Sequence, residues 1–267
     1  MGFGAMRLTG PGVWGLPADV PAALDLARLA VELGVTFIDT ADSYGPGTSE
    51  ELLAEALHPY PASLVIGTKA GQSRPSRDEW VPLGRPEYLR QQAELSLRRL
   101  RLDCLDLFQL HRIDPKVPAA EQIGALAQLQ KEGKIRHIGL SQVSVAELVG
   151  ARAEIDVVSV QNRYSLTDRG DEDVLEYCER EGIAFIPWLP IARGEHSRDQ
   201  GALAEVATEL GASTTQVSLA WLLHRSPVIL PIPGTSSAEH LRENVAAAAL
   251  ELTDEQFARI DAAYPAS

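Results

Sequence analysis

The sequence predicts a single α/β domain, residues 1–267, folded as a (β/α)8 or TIM barrel, and three observations predict it. Eight short apolar runs alternate with helix-like stretches along the chain. Alternation repeated this often favours parallel strands joined by right-handed crossovers, and eight units favour closure of the sheet on itself. The length, 267 residues, suits one barrel of roughly 250 residues. Finally, Asp39, Tyr44, Lys69 and His111 sit where apolar runs stop, which in such a barrel is the rim that carries reactive groups. A doubly wound open sheet is the alternative. It is disfavoured because no GxGxxG turn follows the first run and the ionisable residues spread over several strand ends.

Each element follows from local chemistry. GFGAMR (2–7) is the first strand candidate, followed by a helical pattern from Ala22 to Leu33. TFIDTA (36–41) is the second strand, and the helix from Ser49 to Leu57 is announced by Thr48 and Ser49 ahead of Glu50 and Glu51. LVIGTK (64–69) is the third strand. The polar, irregular segment GQSRPSRDEWVPLG (71–84) after it reads as a mobile flap. Pro86 opens a helix that runs to Leu100, since a proline at the first turn gives up no helical hydrogen bond. CLDLFQLH (104–111) is the fourth strand, followed by a helix from Ala119 to Lys131; IRHIGLS (135–141) is the fifth, followed by a helix from Val145 to Ala151. VVSVQN (157–162) leads to a helix from Asp171 to Glu181, and AFIPWL (184–189) to a helix from Ala202 to Leu223 interrupted at Gly211. VILPIPG (228–234) is the eighth strand. Gly34, Gly133 and Gly182 stand just past helix ends, where a left-handed cap needs a residue without a side chain.

Composition narrows the function. Lys and Arg number 24 against 37 Asp and Glu, a net charge of −13, so nucleic acid and anionic membranes are disfavoured as partners. An anionic ligand must be held by local donors. Cys104 and Cys178 lack metal-ligand spacing and form no disulfide framework, so no metal site is expected. The first residues, MGFGAMRLTG, lack the charged and apolar regions of a signal peptide, and no apolar window is long enough to span a bilayer. The expectation is a cytoplasmic protein, a monomer or weak homo-oligomer, acting on a small molecule.

The strand-end residues suggest acid chemistry. A phenol with an ordinary pKa of about 10 is a poor proton donor near neutrality, but an adjacent ammonium lowers that value. Lys69 is placed to supply the charge, Asp39 to keep a buried Lys69 protonated, and His111 to orient a carbonyl oxygen. FIDTADSYG, the strand-end Lys of IGTK, and QLH together resemble the aldo-keto reductases over nearly the whole chain, and especially a bacterial branch grouped with pyridoxal reductases. The resemblance implies that Tyr44 is the general acid and base, that Lys69 tunes it, that Asp39 holds Lys69, and that His111 positions a carbonyl substrate.

It also implies an NADPH (NADP+) site, with NADH possible. The implied contacts run from Gly4, Ala5, Met6 and Asp39 to GLSQ with Ser141 and Gln142, to Gln161, and to Trp188, Leu189 and Pro190. Trp188 takes the place of the family's stacking aromatic, whereas Gln142 stands where many relatives have Asn. After the eighth strand, Gly234, Thr235 and Ser236 match a phosphate clamp, aided by the start of the following helix, and Glu243 and Asn244 match residues that hold adenine. Relatives often carry Lys and Arg where this chain has Gly234 and His240, so His240 is expected to contact the ribose 2′-phosphate, with Arg242 as the alternative. The chain enters its first strand at once, where relatives carry a β-hairpin over the barrel floor; this implies a different or trimmed start, or a more exposed floor.

Tyr44, His111, Trp14 and Trp80 are the expected substrate walls, with Arg112 beside His111, and they suit small or aromatic aldehydes and quinone-like carbonyls. Pyridoxal is a candidate substrate by resemblance. Two other readings remain at this point: a redox sensor that binds nicotinamide nucleotide with little turnover, and a barrel hydrolase or lyase that uses Lys69 as a Schiff base.

Overall fold

The computed structural model describes residues 1–191 and 201–265. The strands are β1 (Phe3–Gly4), β2 (Phe37–Asp39), β3 (Val65–Ala70), β4 (Gln72–Ser73), β5 (Val81–Pro82), β6 (Leu105–Leu110), β7 (Ile135–Ser141), β8 (Val157–Gln161) and β9 (Ala184–Phe185). Seven of them form one parallel, curled sheet in the order β1-β2-β3-β6-β7-β8-β9, and β4 pairs antiparallel with β5 in a separate hairpin. The order never reverses, which excludes the doubly wound alternative.

The helices are α1 (Val20–Glu32), α2 (Thr48–Leu57), α3 (Pro86–Leu100), α4 (Ala119–Lys131), α5 (Val145–Arg152), α6 (Glu172–Glu181), α7 (Ala202–Leu210), α8 (Thr214–Arg225), α9 (Ala238–Ala246) and α10 (Asp254–Ala263). Their starts are chemically marked. Asp19 accepts from Ala22 N at the head of α1, and Ser144, Ser213 and Thr253 close capping boxes on α5, α8 and α10. Gly34, Gly133 and Gly182 all have positive φ, as left-handed caps require. No helix among the described residues is long and apolar enough to cross a membrane. Cys104 and Cys178 are both free thiols.

Alternation along the strands builds two interiors. Outward residues such as Ile38, Ile66 and Phe108 pack against the helices in the main core. Inward residues Phe37, Leu107, Ile186 and Ile232 form a smaller apolar cluster inside the curl. Two positions further along their strands stand Asp39 above Phe37 and Gln109 above Leu107. The polar layer therefore lies at the C-terminal rim, on an apolar floor.

Three expectations need correction. Only Phe3–Gly4 of GFGAMR pairs as a strand, and Ala5–Leu8 coil into a 3-10 turn. The cap of α2 is Gly47, at φ 87°, rather than Thr48 or Ser49. Those hydroxyls go elsewhere: Thr48 Oγ1 donates to Gly45 O at 2.6 Å, and Ser49 Oγ donates to Ala5 O at 3.3 Å. VILPIPG is not a strand, because Pro231 and Pro233 have no N–H for a ladder. It nevertheless lies between the sheet edges. Leu230 N donates to Phe185 O at 2.8 Å, and Gly2 N donates to Pro231 O at 2.8 Å.

Candidate active site

Register brings the ionisable residues to one rim. Asp39 stands opposite Gly67, and Lys69 opposite Gln109. Loop backbone continues the pairing beyond the strands: Asp42 N donates to Lys69 O at 3.0 Å, and His111 N donates to Ala70 O at 2.7 Å. Tyr44 is held in the turn between β2 and α2, and its ring meets His111 edge-on at 5.9 Å and Trp80 at 6.4 Å between centroids. Asp39, Tyr44, Lys69 and His111 thus form one cluster.

Lys69 has no exposed surface, and Asp39 is 2% exposed. The Lys69 Nζ donates to Asp39 Oδ2 at 2.8 Å and to Thr40 O at 2.7 Å, and it lies 5.0 Å from the centroid of the Tyr44 ring. Asp39 Oδ1 accepts from Gln161 Nε2 at 2.8 Å and from Gln109 Nε2 at 3.4 Å. A buried ion pair with its remaining lone pairs satisfied is the form in which charge survives burial. Burial is the strongest single influence and works to lower the Lys69 pKa, but the charges and hydrogen bonds of Asp39 and Tyr44 together outweigh it, and the ammonium is held above its ordinary range.

Tyr44 corrects a simpler expectation. Burial raises its pKa, and the Lys69 ammonium, though it pulls the other way, does not bring it below the ordinary phenol value. Lys69 therefore limits the cost of deprotonating a buried phenol rather than making that phenol unusually acidic. His111 is pushed well below the usual histidine range, first by burial and then by the charges of Lys69 and Arg112. Its ring is neutral near pH 7, with Nδ1 3.3 Å from Ser43 Oγ.

These groups open into a cavity of about 1450 Å³. Asp39, Tyr44, His111 and Trp80 line its reacting end. Gly4, Met6, Ser141, Gln161, Trp188, Leu189 and Pro190 line it as well, together with Gly234, Thr235, Ser236, His240, Glu243 and Asn244. The backbones of Gly4 and Gly234 nearly touch: a Cβ on Gly4 would sit 2.7 Å from Ile232 O, and one on Gly234 2.8 Å from Gly4 O. Only glycine fits at either position.

Other expected contacts do not reach the cavity. Ala5 is buried in the 3-10 turn. Trp14 packs against the Arg74 guanidinium. Arg242 Nη1 donates to Ala238 O on its own helix. Gln142, at φ 55°, turns sideways: its Oε1 accepts from Trp188 Nε1 at 2.9 Å, and its Nε2 donates to Asp171 Oδ2 at 3.1 Å. It braces the indole instead of facing the cavity. Lys69 is likewise absent from the lining and reaches it through Asp39 and Tyr44.

The sequence reading missed Arg7, Gln72, Arg77 and the head of α8, Ser213, Thr214 and Thr215, all of which line the cavity. The α8 signal was present as a Ser-x-x-Gln capping box, Ser213 to Gln216. With the head of α9, two helix N-termini face this space, and such ends favour anions. The hairpin was read as a flap because nothing in its sequence shows that Arg74 is buried.

The Aldo/keto reductase family pattern matches residues 1–265. The chain is 52% identical over 261 residues to an uncharacterized oxidoreductase of Schizosaccharomyces pombe, covering 98% of this chain and 85% of that protein. It is 42% identical over 267 residues to the pyridoxine 4-dehydrogenase of Escherichia coli, covering 98% and 93%. The aldo-keto reductase of Klebsiella pneumoniae solved in complex with NADPH superposes with a TM-score of 0.84 at 28% identity, covering 100% and 91%. This chain belongs to the aldo/keto reductase family.

Proposed function

We propose that this protein is an NADPH-dependent oxidoreductase that reduces aldehydes or ketones to alcohols. The observation that carries the reading is the buried Asp39–Lys69 pair set against the Tyr44 ring and opening, through Tyr44 and His111, into one long cavity. The donor set fits a nicotinamide dinucleotide. Two helix N-termini and the Thr235 and Ser236 hydroxyls suit phosphates, Asn244 and Glu243 suit adenine, and Trp188 offers a flat face to the cavity. When bound, the reduced nicotinamide supplies a hydride.

Tyr44 gives its hydroxyl proton to the carbonyl oxygen and takes one back from the alcohol in the reverse direction. Lys69 steadies the phenolate that remains, and Asp39 keeps Lys69 charged. In the tautomer in which Nδ1 accepts from Ser43 Oγ, neutral His111 keeps its proton on Nε2 and offers the carbonyl oxygen a hydrogen bond from it. The Schiff-base reading is disfavoured because Lys69 is a charged, doubly hydrogen-bonded ammonium with no free pair to attack a carbonyl. The relatives above are oxidoreductases, which gives the sensor reading no support.

Segment 228–234 reads as the closing stave of a (β/α)8 barrel that makes the chain one domain, a monomer or weak homo-oligomer. Loss of NADPH absorbance across a panel of aldehydes and ketones tests the function, with pyridoxal first because a relative is a pyridoxine 4-dehydrogenase. Turnover of at least one panel member is expected. No turnover of any, with NADPH bound, would refute the reading.

A further inference from the structure

Arg74 lies in the hairpin segment that the sequence marks as a polar flap, yet its side chain is buried. Its guanidinium donates to five main-chain carbonyls. Nε reaches Glu79 O at 3.2 Å, Nη1 reaches Val13 O at 2.9 Å and Ser43 O at 3.1 Å, and Nη2 reaches Gly12 O at 3.0 Å and also Arg77 O. Gly12 and Val13 belong to the loop before α1, Ser43 to the turn that carries Tyr44, and Arg77 and Glu79 to the connection between β4 and β5. Two indoles flank the cation, Trp80 at 3.6 Å and Trp14 at 5.4 Å from the ring centroids. Trp80 in turn meets the Tyr44 ring edge-on.

A guanidinium spreads five N–H groups over one rigid plane, so it can tie carbonyls from several directions. An ammonium, with three donors on a single nitrogen and no flat face, cannot do the same. We propose that Arg74 is a positioning residue of the substrate pocket: it fastens the hairpin to the two loops beside the reacting end and so fixes the Trp80 indole against Tyr44. Arg74 does not line the cavity, whereas Trp80 and Tyr44 do. The wall that the carbonyl compound meets is therefore set by a side chain outside the pocket. The inference rests on the function proposed above.

The test is steady-state reduction of 4-nitrobenzaldehyde by wild type, R74K, R74M, W80A and R74M/W80A, with the NADPH Kd and Tm measured for each. R74M should raise the aldehyde KM about tenfold or more while the NADPH Kd stays within about twofold. R74K, which keeps the charge but loses the fork, should behave like R74M. The double variant should be no worse than W80A, because Arg74 acts through Trp80. An unchanged KM, a matching rise in NADPH Kd, full activity in R74K, or independent losses that multiply in the double variant would overturn the proposal. If R74M fails to fold, R74Q takes its place in the same comparison. A wild-type protein that binds NADPH but reduces no carbonyl compound refutes the proposed function; an active wild type with an indifferent Arg74 refutes this inference alone.

Discussion

Lys69→Met removes the buried ammonium beside the Tyr44 phenol while nearly preserving side-chain shape. The Nζ lies 5.0 Å from the ring centroid, and at that spacing two unit charges interact by about 3 kcal/mol with an effective dielectric constant of about 20. A rate loss of about two orders of magnitude follows from that energy. The remaining Asp39 carboxylate raises the phenol further, which extends the expected fall in kcat to about 10²–10³-fold. Stability suffers too. Removing one partner of a buried pair costs about 3–5 kcal/mol, because the other is left as an uncompensated charge. Gln161 and Gln109 still donate to Asp39, but neither carries charge. The assay is NADPH-dependent reduction of 4-nitrobenzaldehyde at pH 7 and a temperature well below the variant's Tm. Adding Asp39→Asn should restore part of both stability and rate. A folded K69M variant with kcat within about threefold of wild type would refute the reasoning, since the buried phenol would then give up its proton without help from the cation.

Four further outcomes are expected. Reduction should stay level from about pH 6 to pH 8 without a histidine limb, because His111 is already neutral there and Tyr44 keeps its proton. Alcohol oxidation needs the Tyr44 phenolate, so its rate should climb steadily as pH rises above 8; a bend near the ordinary histidine range would contradict both. Gln142→Leu breaks the bonds to Trp188 Nε1 and Asp171; the loss of the one that braces the indole, at about 0.7–1.4 kcal/mol, should weaken NADPH binding by about 3–10-fold, and calorimetric titration with an unchanged Kd would show that the brace is unimportant. If His240, which lines the cavity, contacts the 2′-phosphate, His240→Ala should lower the preference for NADPH over NADH. Binding of both cofactors to wild type and variant checks this, and an unchanged ratio excludes the contact.

The site was legible to the extent that strand periodicity determines it. Asp39, Lys69 and His111 follow apolar runs, and parallel strands in register must bring such ends to one rim. Helices with local signals, such as Pro86 at the head of α3 and Gly182 at the end of α6, were equally readable. What failed depends on distant partners. The strand pattern of GFGAMR yields to a 3-10 turn whose buried members, Ala5 and Leu8, join the core. Thr48 and Ser49 look like caps, but Gly47 takes that place, where a side chain would collide with Arg99 of α3. Glu50, which a helix start would send to solvent, is fully buried because Thr68 Oγ1 donates to it at 2.6 Å and Arg99 pairs with it at 2.8 Å. Gln142 occupies a position suggestive of ligand contact, and only the fold reveals that Trp188 and Asp171 claim both of its polar ends. α10 went unread although Thr253 and Gln256 spell a capping box at its head. The direction of the Tyr44 pKa was misjudged for a related reason: sequence shows which charges are neighbours, but not how deeply they are buried.

Proton donation by Tyr44 is tested most directly by Tyr44→Phe, which removes one oxygen and leaves the ring between His111 and Trp80. NADPH consumption with 4-nitrobenzaldehyde should fall by about 10³-fold or more, while the NADPH Kd and the Tm stay near wild type. A Tyr44→Phe protein that still turns over within about tenfold of wild type would mean that another group protonates the carbonyl oxygen.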